Sequence, residues 1–145
     1  MSVGDPFKLA RFLAAQESVW ERALAELEAG QKRSHWMWFV FPQLAGLGHS
    51  PTARLYGISG LDEAKAYLAH PVLGSRLIAC TQAVLGLEGR SLRQIFGSPD
   101  DLKFRSCMTL FDAAAERREG AFRAALGRYC DGDPDPRTLE LLHPG

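Results

Sequence analysis

Arg33-Ser34-His35-Trp36-Met37-Trp38-Phe39-Val40-Phe41-Pro42-Gln43 is the stretch whose reading decides the fold. Trp36 to Phe41 are six consecutive apolar residues and hold two of the chain's three tryptophans. Aromatic and β-branched content of this density favours a strand. A lone strand leaves its backbone groups unpaired, and the sequence carries no second convincing strand pattern. Ser34 can cap a short helix, and Pro42 can end one. The run is therefore expected to be a short buried helix or helical turn, with a strand as the alternative.

Upstream, Asp5-Pro6 reads as a helix start, with Phe7, Ala10 and Ala14 on one face. Ser18 and Glu21 have capping-box spacing. Trp20, Leu24 and Leu27 form the following buried stripe, and Gly30 is the stop. Residues 6–29 are one helix or two abutting ones.

Downstream, residues 44–60 are loop-like, with Ser50-Pro51 starting one helical turn that carries Arg54 and Leu55. Ser59 and Asp62 form another capping-box pair, opening a helix with Leu61, Ala64 and Leu68 buried. It ends at His70-Pro71, because a residue before proline avoids helical geometry. The clearest period follows: Leu73, Leu77, Cys80, Val84 and Leu87 at steps of three and four. Ser91 to Gly97 reads as a short helix. Ser98-Pro99-Asp100-Asp101 then reads as a cap, a first-position proline and two carboxylates on the positive end of a helix dipole. In that helix Phe104, Cys107 and Phe111 share a face. Residues 121–130 form one more helix and 137–142 a last turn or two. The expected fold is mainly α, a single compact globular domain over 1–145, with six to eight helices of uneven length.

Composition narrows the function classes. The 145 residues include 17 basic and 17 acidic side chains, so the formal net charge is zero. A nucleic-acid or anionic-membrane surface needs an excess of Lys and Arg, so neither partner is expected. The N-terminus lacks the apolar core of a signal peptide. No apolar run approaches the roughly 20 residues of a membrane helix. Cys80, Cys107 and Cys130 are scattered and odd in number, which fits neither a disulfide framework nor a metal cluster. A reduced, cytoplasmic protein is the expectation, with no metal and no cofactor; the oligomeric state is left open.

RSHWMWFVFPQLAGLGHS (33–50), HPVLGSRL (70–77) and IFGSPDDLKFRSCMTLFD (95–112) together resemble the bacterial domain-of-unknown-function family 1810, from Asp5 to about Leu142. That resemblance implies a mainly helical fold and no established activity. Some members are labelled calpastatin; calpastatins are long and disordered, whereas this composition is globular. HPVLGSRLIACT (70–81) is also distantly similar to the NAD- and ADP-ribose-associated family, some members of which are N-glycosidases. No catalytic glutamate carries over from that likeness.

Three places could hold chemistry. At the aromatic run, Trp36 or Trp38 could stack on a planar ring, with Arg33, His35 and Gln43 hydrogen bonding at its rim. His35 could act as acid or base near neutral pH. The competing reading makes the run plain core, its indole and imidazole groups bonded to backbone carbonyls. The second place is Gly46 to Pro51, a glycine-rich turn in which Gly48, His49 and Ser50, with Arg54, could face an anion. It matches neither the P-loop nor the dinucleotide fingerprint, and a plain loop with a Ser cap is the better reading. The third is Asp100, Asp101, Lys103 and Arg105. Lys103, Ser106 and Thr109 recur at three-residue steps and could hold a phosphate, although carboxylates in a first helical turn ordinarily serve the dipole. No Ser-His-Asp triad is legible, and His35 and His49 are too far apart for a local metal pair.

Two functions follow. One is a small-molecule site for a nucleotide-like or phosphorylated ligand, ADP-ribose or a nucleotide derivative, with hydrolysis as an option. The other is a non-enzymatic helical module presenting an apolar face to a protein partner.

Overall fold

The aromatic run is helical. In the computed structural model, which describes residues 5–116 and 118–143, α3 spans Met37–Val40. Ten helices are formed among the described residues: α1 Ala10–Glu17, α2 Trp20–Ala29, α3, α4 Pro51–Tyr56, α5 Leu61–Ala69, α6 Leu73–Leu85, α7 Leu92–Phe96, α8 Asp100–Ala115, α9 Ala121–Tyr129 and α10 Pro136–Leu142. The expected six to eight is too few. The excess lies among α3, α4, α7 and α10, segments of four to seven residues that read in the sequence as short helices or helical turns. Helices this short are marginal alone and exist because tertiary packing holds them. Strand-like pairing among the described residues is confined to one parallel bridge, Leu44 with Ile58.

The packing axis is α8 rather than the aromatic run. Nine of its sixteen residues are buried, among them Phe104, Cys107, Met108, Leu110 and Phe111. A helix buried on every side from Ser106 to Phe111 must be surrounded, and α5, α7, α9 and α10 pack around it. Phe41 sets its ring edge-on to Phe104 at 5.1 Å and to Phe96 at 5.7 Å, joining the aromatic run to α7 and α8. The expected α6 stripe is in place, with Leu73, Leu77, Cys80 and Val84 buried.

Several caps differ from their sequence reading. Asp5 does cap, but its carboxylate accepts from Leu9 N and Ala10 N across a turn, so α1 starts at Ala10. The buried residues of α1 are accordingly Phe12 and Gln16, not Phe7, Ala10 and Ala14. Ser18 closes α1 and caps nothing in α2, so 6–29 holds two helices. Ser59 does not cap α5 either. Glu63 accepts from Ser59 N (2.8 Å) and pairs with Arg11 (2.8 Å), so the buried face of α5 is Glu63, Ala64 and Tyr67. At α8 the residue before the helix is Pro99, after a cis Ser98-Pro99 bond, and no side chain caps it. Ser50 caps α4 as expected, and Ser91 and Asp135 cap α7 and α10.

Candidate functional site: a cleft beside the aromatic run

Glycine at position 30 turns the chain. Gly30 closes α2 at φ 83°, a left-handed conformation that side chains other than Gly rarely accept. Residues 31–36 then fold back over α2, where one carboxylate gathers them. Glu26 Oε1 accepts from Arg33 N (2.7 Å), Ser34 N (3.0 Å) and Trp36 Nε1 (2.9 Å), and Oε2 accepts from the Ser34 hydroxyl (2.5 Å). Burial pushes the Glu26 carboxyl up, but these hydrogen bonds outweigh it and hold it down at about 2. Ser34, expected to cap a helix, is consumed here.

Trp36 is 1% exposed, with its N–H engaged, so it is core and not a stacking platform. Trp38 is 8% exposed and shows an edge to solvent. Its other side lies on Gly48, where a Cβ would stand 3.0 Å from Trp38 Cζ2 and 2.6 Å from Ala53 Cβ. That close approach is the use of Gly48, which supports the indole from behind.

In front of Trp38 lies a cleft of ≈ 280 Å³ whose lining includes Lys32, His35, Trp36, Trp38, Ser50, Thr52, Asp100 and Lys103. Its charges are arranged in a row. Asp100 bridges the two lysines, with Oδ2 2.9 Å from Lys32 Nζ and Oδ1 3.2 Å from Lys103 Nζ. Burial raises the Asp100 carboxyl, yet the lysines on either side outweigh it and keep it below its ordinary value. Lys32 is largely engaged: its ammonium also donates to Ser34 O (2.7 Å), sits 5.1 Å from the Trp36 ring centroid and is 8% exposed. Lys103 is 31% exposed, and Asp100 is its partner among the described residues. His35 and Thr52 are exposed and make no side-chain hydrogen bond among the described residues. Ser50 Oγ accepts from Ala53 N, which leaves its proton free.

The cleft unites six residues singled out from the sequence: His35, Trp36, Trp38, Ser50, Asp100 and Lys103. The others lie elsewhere. Arg33 is exposed, its guanidinium 3.4 Å from Gln31 Oε1. His49 and Arg54 point to solvent outside the lining. Gln43 is no rim residue. It is 2% exposed, its backbone carbonyl accepts from Ile58 N, and its side-chain Nε2 has no partner among the described residues. Ser106 lies 3.1 Å from Leu102 O and 3.2 Å from Asp135 Oδ2, and Thr109 Oγ1 accepts from Asp135 N. These hydroxyls dock α10 and are not turned toward Lys103's cleft.

Sequence reasoning missed Lys32, Thr52 and the bridging role of Asp100. Lys32 directly precedes the run and could have been included with it. Asp100 was assigned to the helix dipole, and only the fold brings it against Lys32. Among the described residues no group of three or more His, Cys, Asp or Glu could hold a metal ion, and no helix is long and apolar enough to cross a membrane.

Of the larger clefts, one of ≈ 410 Å³ is lined by Arg93, Asp101, Arg105, Asp131 and Asp133, with Arg105 already held by Asp133 O (2.9 Å) and Pro134 O (2.9 Å). One of ≈ 390 Å³ adjoins the Lys65–Glu116 ion pair, and one of ≈ 660 Å³ runs along Trp20 and Arg76. Arg76 is already bound to Gln16 Oε1 at 3.2 Å and stacked on Trp20.

No curated protein matches this chain. The crystal structure of the conserved hypothetical protein Rv1873 from Mycobacterium tuberculosis is similar, at 55% identity and TM-score 0.93, covering 95% of this chain and 98% of that one. The NAD- and ADP-ribose-associated family does not appear among these findings. Residues 6–142 match the family described as "Protein of unknown function (DUF1810)", and the chain belongs to it.

Proposed function

We propose that the cleft beside Trp38 binds a small anionic ligand, nucleotide-like or phosphorylated, no larger than a mononucleotide. The observation that carries this reading is the Lys103 ammonium, with donors to spare, beside Ser50, Thr52 and His35 in one concavity walled by an indole edge. Convergent donors over an apolar wall are the usual composition of a ligand site. Size limits the ligand. At ≈ 280 Å³ the cleft falls below the roughly 300–1,000 Å³ of drug-sized pockets, which disfavours ADP-ribose and dinucleotides.

Hydrolysis has less support than binding. Asp100 is held by two lysines and is a poor proton acceptor, so a hydrolytic step would rest on His35 alone. The interaction-module alternative loses its motive, because most of the aromatic run is core and the exposed large apolar residues Leu55, Val72, Leu102 and Leu141 fall on separate segments.

A panel of mononucleotides and aromatic acids at millimolar concentration, read by thermal shift, tests the proposal. Stabilisation by at least one compound is expected, and Lys103→Met and His35→Ala should weaken it while leaving the unliganded melting temperature within about 2 °C of wild type, as surface changes do. A wild-type response that persists in Lys103→Met refutes the site.

A further inference from the structure

We infer that Asp100 tunes this cleft for a singly charged oxyanion, a carboxylate or a phosphodiester, and against a terminal phosphate carrying two charges. The inference rests on the binding reading above and adds the charge class of the ligand.

The lysines are not equivalent. Lys32 spends its donors on Ser34 O and Asp100 Oδ2 and faces the Trp36 ring. Its remaining N–H belongs to an ammonium that is 8% exposed and 5.1 Å from the Trp36 ring centroid, so little of it is open to a ligand. Lys103 holds Asp100 Oδ1 and keeps two N–H directions open, since an ammonium has three donors. Two lysines and one aspartate therefore leave the cleft with one net positive charge, and that charge sits at Lys103. A monoanion seated on Lys103 balances it.

A dianion is different. Its second charge has no free cation to meet, because Lys32 is already neutralised in place. It also lies within a few ångströms of the Asp100 carboxylate, which is only 18% exposed and weakly screened. Asp100 thus acts as a fixed counter-ion inside the site, discriminating by repulsion as much as Lys103 does by attraction. Asp100 would be a specificity residue, positioned by its two ion pairs rather than by contact with the ligand's ring.

The test is calorimetric titration of the full chain at pH 8 and fixed salt with three probes: cyclic AMP, AMP and nicotinate. At that pH a phosphomonoester carries two charges, its second pKa being about 6. Cyclic AMP or nicotinate should bind about tenfold more tightly than AMP, the scale expected of one like-charge contact in a partly screened cleft. Binding of nicotinate alone names the carboxylate as the source, and binding of cyclic AMP the phosphodiester. Asp100→Asn should abolish or reverse the preference. A conservative second variant, Asp100→Glu, should retain it if the effect is charge rather than folding, and melting curves of both variants report whether the fold survives. AMP binding as tightly as the monoanions in wild type overturns the charge assignment while the site itself stands. An unchanged preference in folded Asp100→Asn overturns the role of Asp100. Failure of all three probes overturns both this inference and the binding reading.

Discussion

Glu26→Ala removes the acceptor of four hydrogen bonds that fold residues 33–36 onto α2. Hydrogen bonds to a charged group contribute about 1.5–3 kcal/mol each when removed singly. The four do not add, since Arg33 N and the Ser34 groups lie near the surface and water replaces part of the loss. Trp36 Nε1 is different: the residue is 1% exposed, so its N–H is left without a partner at about 1–3 kcal/mol. The expected total is about 3–5 kcal/mol, or a fall of about 8–15 °C in Tm for a domain of this size. Glu26→Gln keeps the shape and one carbonyl oxygen and should fall between.

Urea unfolding is the assay, with a lowered midpoint and an unchanged slope. The effect has a pH signature. The folded carboxyl titrates at about 2 and its ordinary value is 4.5. A depressed folded value contributes stability that is complete above the unfolded value and lost as pH falls through the folded one. The gap between wild type and Glu26→Ala should therefore be full at pH 7 and shrink between about pH 4.5 and 2. A Glu26→Ala variant within about 0.5 kcal/mol of wild type at pH 7, the range of an inconsequential surface change, refutes the reasoning.

Gly48→Ala should destabilise by about 1–3 kcal/mol, as overpacking does, and alter Trp emission, because the new Cβ meets Ala53 and the Trp38 ring. Chemical denaturation followed by fluorescence reads both. Cys80 and Cys107 should resist thiol reagents until the protein unfolds. Burial pushes the Cys80 thiol up to about 12 and Cys107 well above its ordinary value, while half-buried Cys130 should label first and slowly. Rapid labelling of more than one thiol in native protein contradicts the burial of the Cys80 face of α6 and the Cys107 face of α8. Asp135→Ala should loosen α10 by about 1–2 kcal/mol, the scale of a lost cap, because its carboxylate accepts from Thr138 N and the Thr138 hydroxyl. Hydrogen exchange over 136–142 should rise, with probe binding at the cleft unchanged; lost binding would restore Ser106 to the site.

Periodic, well-punctuated segments were legible in the sequence. The Leu73 to Val84 stripe and the short helix between Ser91 and Gly97 stand where the pattern puts them. Decisions made by long-range partners were not. Nothing near Ser59 announces that Glu63 will turn inward to Arg11, 52 residues away. Nothing near Ser34 announces Glu26, and without it the hydroxyl looks like a cap. The same holds for the site. His35, Trp38, Ser50 and Lys103 could be picked by type, but only the packing of α8 against residues 31–36 places Asp100 between Lys32 and Lys103. Gln43 was misplaced because a polar residue after an aromatic run reads as a rim, whereas the Leu44–Ile58 bridge draws it inside.

The claim that Lys103 and the Trp38 edge form a ligand site is tested most directly by NMR titration of the indole and backbone N–H signals with the best-binding monoanion. Saturable shifts centred on Trp38, His35, Thr52 and Lys103, lost in Lys103→Met, are the predicted result. Saturable shifts centred on the Trp20–Arg76 cleft or around Lys65, or none at millimolar ligand, would contradict it.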